Sequence, residues 1–380
     1  MVRASAKNYK HTCVVVSPLH YNALVGHLKA GAIPLDFREQ LAAEAFTHTA
    51  RYDAMISSYL NGRNTTEIFH AESSIPLKLE QSLRYGENPH QQAVLYGNFG
   101  GIFEQVHGKE LSYNNILDID AAAKLSLEFT DPTVCILKHN NPCGVGSADT
   151  LMDAWDKAFA TDNVSPFGGI VCVNREVDLA FADKIHGIFT EVIIAPSFAP
   201  DALERLQKKR DRRLLVLNVD ALRKELGMEV RAVAGGFLVQ QSDAPLLDEA
   251  TLSVATTRQP TDEERKAMLF AWKVAKHVKS NAIVYALSDR TLGIGAGQMS
   301  RIDAARIAVS KANDAGLNLA GCAVASDAFF PFADGLLQAA EAGATCVIQP
   351  GGSVRDDEVI EAANGKNLAM MLTGMRHFRH

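Results

Sequence analysis

Residues 133–144 read TVCILKHNNPCG, an apolar run that passes directly into a polar turn. The run from Thr133 to Leu137 is rich in β-branched and apolar side chains, which predicts a strand buried in a sheet. The asparagines, proline and glycine that follow are typical of a turn. The predicted strand therefore presents Lys138 and His139 at its end.

Apolar runs and amphipathic stretches alternate along the chain, and this alternation predicts an α/β fold without a convincing internal repeat. The candidate strands are Thr12–Ser17, Thr133–Leu137, Gly169–Val173, Val192–Ala195, Leu214–Leu217, Ala282–Ala286, Cys322–Ser326 and Thr345–Gln349. The candidate helices are Asp118–Glu128, Thr150–Ala160, Thr261–His277, Ser300–Ala315 and Gly335–Glu341. The candidate domain boundaries are the polar stretch Asn61–Ser74 and the charged region Gln207–Arg213, which is followed later by Gln240–Asp248. Ligands of open α/β sheets usually bind at strand ends, so the polar motifs beside these strands are candidate sites.

Composition narrows the class of protein. The 380 residues are 47% hydrophobic and 22% charged, as expected for a globular protein of two or three domains. The apolar runs are too short to cross a bilayer and the N-terminus lacks the core of a signal peptide, so we expect a cytoplasmic protein without a membrane partner. The six cysteines contain no C-x-x-C pair, which disfavours disulfides and structural zinc. The net charge of −6 disfavours nucleic acid as a partner, but a local basic cluster is enough to bind a small anion.

The segment LRYGENPHQ at residues 83–91 collects polar side chains around a glycine and a proline that predict a turn. Arg84 carries a rigid fork of donors that suits a phosphate or a carboxylate. A solvated loop that caps the next strand is an equally good interpretation of this composition.

Lys138 and His139 are candidate catalytic residues. The adjacent lysine disfavours a second positive charge on the imidazole, and a neutral imidazole can accept a proton. The lysine can stabilise negative charge that develops on an oxygen. Zinc-dependent nucleobase deaminases need H-x-E and P-C-x-x-C, but here Asn141 replaces the glutamate and Gly146 replaces the second cysteine. The sequence therefore favours acid–base chemistry without a catalytic metal.

Residues 293–301, GIGAGQMSR, follow another apolar segment. Their glycine spacing does not fit a dinucleotide loop, so we expect the glycines to allow close backbone approach. Ser300 is predicted to cap a helix. Arg301 in the first turn of that helix opposes the macrodipole, an effect that an anionic ligand would offset.

Two further segments each have two interpretations. Residues 325–335, ASDAFFPFADG, could form a wall for a flat heterocycle, although a hydrophobic loop packed against a neighbouring domain is the simpler interpretation. The last residues, 375–380, read MRHFRH and fit either a ligand-binding tail or a solvated basic end.

Together these segments closely resemble the AICAR transformylase part of a bifunctional purine-biosynthesis family. The resemblance extends in order from about residue 70 to the end and rests on the strings LRYGENPHQ, LKHNNPCGVG, SNAIVYA, GIGAGQMSRIDAARIA, ASDAFFPFADG, CVIQPGGSVRDDEVIEAA and MRHFRH. It implies two cytidine-deaminase-like α/β units without zinc, preceded by a partial α/β cyclohydrolase segment. We expect the cyclohydrolase remnant at 1–65, the first transformylase unit at 70–235 and the second at 236–380.

The resemblance also implies roles for individual residues. His139 would be the general base, and Lys138 would stabilise a tetrahedral oxyanion. The residues implied to bind AICAR are Arg84, Tyr85, Gly168, Glu191, Asn281 and Arg376. The residues implied to bind folate are Arg301, Ile302, Phe329, Asp334, Gly351 and Gly352.

The reaction implied by the resemblance is that of phosphoribosylaminoimidazolecarboxamide formyltransferase. The formyl group of 10-formyltetrahydrofolate, a co-substrate, passes to the amine of AICAR. The family works as a homodimer with residues of both subunits in each site. No catalytic metal is expected, and a requirement for a monovalent cation is left open.

Residues 1–58 resemble the last part of the family's IMP cyclohydrolase domain, where Lys7 matches a residue that acts in ring closure. The preceding half of that domain is missing from the sequence, so we expect no cyclohydrolase activity. The alternatives are the full bifunctional activity and an inactive relative that serves as a binding partner. The presence of Lys138, His139 and Asn281 argues against an inactive relative.

Overall fold

Helices and strands alternate through most of the chain in the computed structural model, which describes residues 1–64, 67–243, 247 and 249–380. The α-helices are α1 (Val2–Lys7), α2 (Tyr21–Lys29), α3 (Leu35–Asn64), α4 (Tyr113–Ser126), α5 (Leu151–Thr161), α6 (Leu179–His186), α7 (Pro200–Gln207), α8 (Val219–Glu225), α9 (Asp262–Ala275), α10 (Arg301–Asp314), α11 (Ala333–Glu341) and α12 (Asp356–Gly365). The strands are β1 (Leu79–Leu83), β2 (Ala93–Tyr96), β3 (Phe103–His107), β4 (Thr133–Lys138), β5 (Asn141–Ser147), β6 (Gly169–Val173), β7 (Thr190–Ala195), β8 (Arg213–Leu217), β9 (Met228–Val233), β10 (Gly236–Gln241), β11 (Ser253–Val254), β12 (Ile283–Ala286), β13 (Thr291–Gly295), β14 (Ala323–Ser326), β15 (Cys346–Gln349) and β16 (Ala369–Leu372). The chain divides into a first unit, residues 1–82 with 94–98, and a second unit, residues 83–93 with 99–380.

The first unit consists mainly of α1, α2 and α3. Ala6 of α1 is buried against Ala45 of α3 in a small core. The predicted strand Thr12–Ser17 is wrong. This segment is irregular and pairs with no strand in the described part of the chain, because Val14 and Val16 pack on the helical core instead of joining a sheet. Across the described ranges, no helix combines the length and the apolar character needed to cross a membrane.

The second unit contains two mixed sheets of six strands each. Their strand orders are β3-β8-β7-β6-β4-β5 and β11-β16-β15-β14-β12-β13. In each sheet three neighbouring strands are parallel, namely β6 to β8 and β14 to β16, while the other neighbours are antiparallel. The predicted α/β class with two α/β units is confirmed.

Apart from Thr12–Ser17, every predicted strand and helix is present, and the differences lie at their ends. Helix α4 begins at Tyr113, before the predicted start, because Ser112 caps it in a reciprocal capping box with Asn115. The predicted cap of α10 is confirmed, since the Ser300 hydroxyl accepts a hydrogen bond from a backbone N–H in the first turn.

The two sheets repeat one order of elements, which the sequence did not reveal. Each begins with an antiparallel edge strand (β3 or β11), continues with a helix (α4 or α9) and an antiparallel hairpin (β4–β5 or β12–β13), and then alternates helices with parallel strands. The second strand of each hairpin lies directly on the next helix. A Cβ on Gly144 would lie 2.0 Å from the carbonyl oxygen of Ala158, and one on Gly295 would lie 1.8 Å from that of Ala304. The predicted close approach at residues 293–301 is therefore confirmed, and only glycine permits it.

The two hairpins meet through their outer strands, β5 and β13. Gly146 and Arg290 form an antiparallel bridge between them. Close by, the backbone N–H of Lys279 donates a 2.9 Å hydrogen bond to the side-chain oxygen of Asn141. Strand β5 begins at Asn141, so Pro142, which the sequence predicts in a turn, belongs to the strand. The turn after β4 thus lies close to the residues that precede β12.

Candidate active site

A cleft of about 1160 Å³ lies where β4 ends and where β6, β7 and β8 begin. The predicted site residues that line it are Arg84, Tyr85, Lys138, His139, Gly168 and Glu191. Because β4 runs antiparallel to β6, its end and the starts of the three parallel strands share one edge of the sheet. Ligands of open α/β sheets usually bind at the carboxyl edge of the parallel strands, whereas this cleft lies at the amino edge.

His139 and Asn140 form the two-residue turn between β4 and β5, with left-handed φ angles of 54° and 61°. A type I′ hairpin turn needs this conformation at both positions. For a residue with a side chain it costs about 1–2 kcal/mol. The side-chain amide of Asn141 donates a 3.2 Å hydrogen bond to the carbonyl of His139. Backbone strain of this kind is concentrated at functional sites.

Asp118 of α4 also holds this turn, although nothing in the sequence singles it out. Its carboxylate accepts a 2.5 Å hydrogen bond from the backbone N–H of Asn140. Burial raises the pKa of Asp118, while the N–H groups of the turn and the nearby His139 oppose the rise. Glu191 lies close enough to raise this pKa further.

Lys138 is fixed at the end of β4 by the loop that precedes β6. Its ammonium group donates a 2.9 Å hydrogen bond to the carbonyl of Phe167. The loop is anchored by Asp162, which accepts hydrogen bonds from Ser165 and pairs with Lys311 at 2.9 Å. Burial favours the neutral acid of Asp162, but these partners outweigh it and lower its pKa to about 2. The loop is therefore held by a carboxylate that stays charged at neutral pH.

Glu191 is the acidic group among the predicted nucleotide-binding residues. Its carboxylate accepts a 3.1 Å hydrogen bond from Asn115 and lies 3.5 Å from the guanidinium of Arg213. Arg84 stacks over the ring of Tyr85, with 4.7 Å between guanidinium carbon and ring centroid, and donates a 2.9 Å hydrogen bond to its hydroxyl. Burial lowers the pKa of Arg213, Glu191 opposes this, and the nearby charge of Arg84 lowers it further.

The cleft also contains basic residues that the sequence did not predict. They are Lys109, Lys209, Arg210, Arg212 and Arg213. All but Lys109 come from the run KKRDRR at 208–213, which the sequence analysis treats as a boundary region. The signal was present, because the run leads directly into the predicted strand at Leu214 and so places its charges at a strand end.

Arg212 is the most buried of these cations, at 3% exposure. One of its terminal nitrogens donates a 2.7 Å hydrogen bond to the carbonyl of Ile188. Its Nε and its other terminal nitrogen have no hydrogen-bond partner among the residues that the structure describes. Burial lowers the pKa of Arg212 to about 10, so it remains charged at neutral pH. A buried cation with free donors suits an anionic ligand.

The remaining predicted nucleotide-binding residues lie elsewhere in the second unit. Arg376 belongs to a group that we call the carboxyl-terminal cluster, formed by Arg301, Asp327, Arg376 and Phe378. The side-chain amide of Asn281 donates a 2.9 Å hydrogen bond to the carbonyl of Gln298. Arg301 pairs with the buried carboxylate of Asp327 at 3.2 Å. The guanidinium carbons of Arg301 and Arg376 lie 5.7 and 4.3 Å from the ring centroid of Phe378. Burial lowers the pKa of Arg301, and Asp327 opposes this.

The terminal segment packs against this cluster and is not a solvated end. The backbone N–H of His377 donates a 3.1 Å hydrogen bond to the carbonyl of Asp327, and His377 is 2% exposed. The backbone N–H of Arg379 donates a 3.1 Å hydrogen bond to the hydroxyl of Ser280. That hydroxyl donates in turn to the Asp327 carboxylate at 2.6 Å. The arginines of the tail are thus held beside the start of β12.

The predicted folate-binding residues follow successive strands of the second sheet. Ile302 lies in the first turn of α10 after β13, and Phe329 follows β14. Asp334 is exposed at the start of α11. Gly351 and Gly352 follow β15 with φ angles of 71° and 91°. These positions lie at the carboxyl edge of the parallel strands, where ligands usually bind.

Lys7 lies in the first unit, exposed at the end of α1. That unit has its own open cleft of about 450 Å³, lined mainly by α3 and the segment before α2. Lys7 is not among the residues that line it.

Residues 1–64, 67–243, 247 and 249–380 contain no group of three or more His, Cys, Asp or Glu side chains arranged to hold a metal ion. Cys143, which follows the Lys138–His139 pair in strand β5, is half-buried. Burial raises its pKa to about 12, so the thiol stays protonated at neutral pH.

Comparison with known proteins places the chain in a family. Residues 5–311 match the model of the AICARFT/IMPCHase bienzyme. The bifunctional purine biosynthesis protein PurH of Chloroflexus aurantiacus is 55% identical over all of this chain and 74% of its own length. The PurH proteins of Chlorobium luteolum and Bacillus cereus are 50% and 48% identical over all of this chain and 75% of their own length. The chain belongs to the AICARFT/IMPCHase bienzyme family.

Proposed function

We propose that the chain is an AICAR transformylase, which transfers the formyl group of 10-formyltetrahydrofolate to the 5-amino group of AICAR. The observation that carries this proposal is the cleft in which Lys138 and His139 end β4 among basic side chains. Family membership supplies the pair of substrates. The protein would act in purine synthesis in the cytoplasm, with folate as a co-substrate and without a catalytic metal.

The chemistry explains why a base and a cation are needed together. The amine of AICAR is conjugated with an electron-poor imidazole, so it is a weak nucleophile. His139 accepts a proton from the AICAR amine while the amine nitrogen attacks the formyl carbon. General-base catalysis of this kind raises the rate by ~10²–10⁴-fold. The Lys138 ammonium has three donors, and Phe167 accepts one of them, which leaves donors for the oxyanion. Collapse of the tetrahedral adduct breaks the bond to the folate nitrogen, which takes up a proton to give tetrahydrofolate.

Binding of AICAR is assigned to both faces of the cleft. Arg84 with Tyr85 supplies donors for the phosphate, and Gly168 with Glu191 contacts the nucleoside. The unpaired donors of Arg212 add positive charge to the same cleft. Such an excess of cations matches a substrate that carries a phosphate.

The carboxyl-terminal cluster is assigned to the same reaction through a homodimer. Asn281 and Arg376 would complete the AICAR site of the partner subunit. Arg301, Ile302 and the residues after β14 and β15 would bind the folate. The hairpin β9–β10 supports a dimer. Phe237 and Leu238 on it are 70% and 62% exposed, and exposed apolar surface of this kind is typical of a protein–protein interface.

Ring closure to IMP is not assigned to this chain. The lysine that the family resemblance associates with this step, Lys7, is exposed and does not line the cleft of the first unit. We assign residues 1–65 to a cyclohydrolase-like segment, 70–235 to the first transformylase unit and 236–380 to the second.

The decisive experiment is a spectrophotometric assay of the purified chain with AICAR and 10-formyltetrahydrofolate, with separation of the products. Release of tetrahydrofolate with accumulation of formyl-AICAR is the expected result. Conversion onward to IMP would instead show the bifunctional activity. A folded protein that binds AICAR without turnover would mean that it is an inactive relative. A chelator should leave the rate unchanged.

A further inference from the structure

Helix α4 contacts the cleft through two side chains that lie one turn apart on its surface. Asn115 donates a 3.1 Å hydrogen bond to Glu191. Asp118 accepts a 2.5 Å hydrogen bond from the backbone N–H of Asn140. One helix face therefore contacts both the acidic group of the cleft and the main chain of the turn that carries His139.

This turn needs support from outside its own hairpin. His139 and Asn140 both adopt left-handed φ angles, of 54° and 61°, which favour glycine over residues with side chains. Asn141 fixes the carbonyl of His139 from within the hairpin. The Asp118 carboxylate supports the turn directly from another element, and the N–H groups of both turn residues interact with it.

We infer that Asp118 is a positioning residue, which orients the imidazole of His139 by holding the main chain of the His139–Asn140 turn. This inference rests on the proposed formyl transfer, in which His139 is the base. A displacement of about 1 Å in a catalytic group can cost ~10²-fold in rate, so loss of this support affects turnover. Because Asp118 acts through the turn, what it must provide is an acceptor oxygen of the right geometry and not a negative charge.

The experiment compares Asp118→Ala, which removes the acceptor, with Asp118→Asn, which keeps an oxygen in the same place without the charge. A matched control is Asp156→Ala, which removes an aspartate on the surface of α5 that pairs with Lys184 of α6. Steady-state kinetics are measured at a temperature at which circular dichroism shows every variant fully folded. We expect Asp118→Ala to lower kcat by about 10- to 100-fold with KM for AICAR unchanged. Asp118→Asn should recover most of this loss, and Asp156→Ala should match wild type.

A second readout does not depend on the reaction. The protein is labelled with ¹⁵N-asparagine, and the backbone amide signal of Asn140 is assigned as the one lost in Asn140→Gln. In wild type this amide should exchange its hydrogen with solvent slowly and resonate at low field. Asp118→Asn should keep its slow exchange, while Asp118→Ala should speed it up. If wild type transfers no formyl group, the proposed function fails, and the amide exchange alone still decides whether Asp118 holds the turn.

Three outcomes would overturn the inference. An Asp118→Ala variant with wild-type kcat would show that the turn needs no such support. A loss in Asp118→Asn as large as in Asp118→Ala would show that the charge matters and not the acceptor. An Asn140 amide with the same exchange in all variants would mean that the hydrogen bond does not hold the turn in solution.

Discussion

The ammonium group of Lys138 donates a hydrogen bond of 2.9 Å to the backbone carbonyl of Phe167. This bond ties the end of β4 to the loop before β6, which Asp162 anchors through Ser165 and Lys311. The proposed oxyanion donor is therefore held in place before a substrate binds. Such preorganisation is what makes a charged donor effective in catalysis.

Replacement of Lys138 by methionine should lower kcat by about 10²–10³-fold, because the oxyanion loses a fixed donor. Lys138→Arg should recover only part of the loss, since a planar fork cannot reproduce the geometry of an ammonium group. Steady-state kinetics test this, with Lys184→Met on the surface as the control. A Lys138→Met enzyme with normal kcat would remove Lys138 from the mechanism.

Replacement of His139 by asparagine removes the proposed base without disturbing the turn. Asparagine tolerates left-handed φ angles, so the hairpin should keep its conformation and its melting temperature. The rate should fall by ~10²–10⁴-fold, because the amide cannot accept the proton. His11→Asn, at an exposed position in the first unit, should have no effect on the rate. Substantial activity in His139→Asn would point to another base.

Mixing two inactive variants tests whether the sites are shared between subunits. Arg84→Ala damages the cleft, and Arg376→Ala damages the carboxyl-terminal cluster. If each site combines the cleft of one subunit with the cluster of its partner, a mixed dimer has one intact site, and an exchanged mixture should regain about a quarter of the wild-type rate. Sedimentation confirms the dimer, and unchanged inactivity after subunit exchange would show that each site belongs to one chain.

Acid should weaken the ion-pair contact between the residues that directly follow α4 and α9. Glu128 contacts Lys276 at 2.8 Å and His277 at 2.9 Å, and all three side chains are nearly buried. Burial by itself raises the pKa of Glu128, but the hydrogen bond from His277 and the charge of Lys276 outweigh it and lower the pKa from 4.5 to about 2. A group whose pKa is lowered in the folded state stabilises the protein at pH values above its unfolded-state pKa. This stabilisation is lost as the pH falls toward the folded-state pKa. Its contribution is on the order of 3 kcal/mol.

Urea unfolding of wild type and Glu128→Gln at pH 6, 4 and 3 measures this contribution. Wild type should be the more stable at pH 6, and the difference should shrink as the pH falls. A difference that stays constant with pH would mean that the charge of Glu128 contributes nothing.

Gly295→Ala tests the contact between β13 and α10. The added Cβ would lie 1.8 Å from the carbonyl oxygen of Ala304, so strand and helix must separate. We expect a loss of about 1–3 kcal/mol in the free energy of unfolding, or failure to fold. Gly187→Ala is the control, because a Cβ there meets no atom within 4 Å. Equal stability of the two variants would contradict the tight packing.

Much of the fold could be predicted because local patterns match it. The buried strands are continuous apolar runs, and Gly169–Val173 has the predicted bounds. The strand predicted at Thr12–Ser17 failed because an apolar run cannot show whether a neighbouring strand exists to pair with it. The family resemblance implies two α/β units, but no repeat of residues shows in the sequence, because the repeat lies in the order of elements.

The sequence by itself determined the α/β class, the end of β4 as the position of Lys138 and His139, and the family resemblance. These features depend on short segments, whose propensities and motifs are local. Only the tertiary structure decided that Arg84 and Glu191 share a cleft with His139 while Arg376 lies in a separate cluster. It also brought Asp118 and Arg212 to the site, because helix packing and strand order bring together residues that are distant in the chain. No local pattern contains that information, since it depends on the strand order within a sheet and on the helices packed against it.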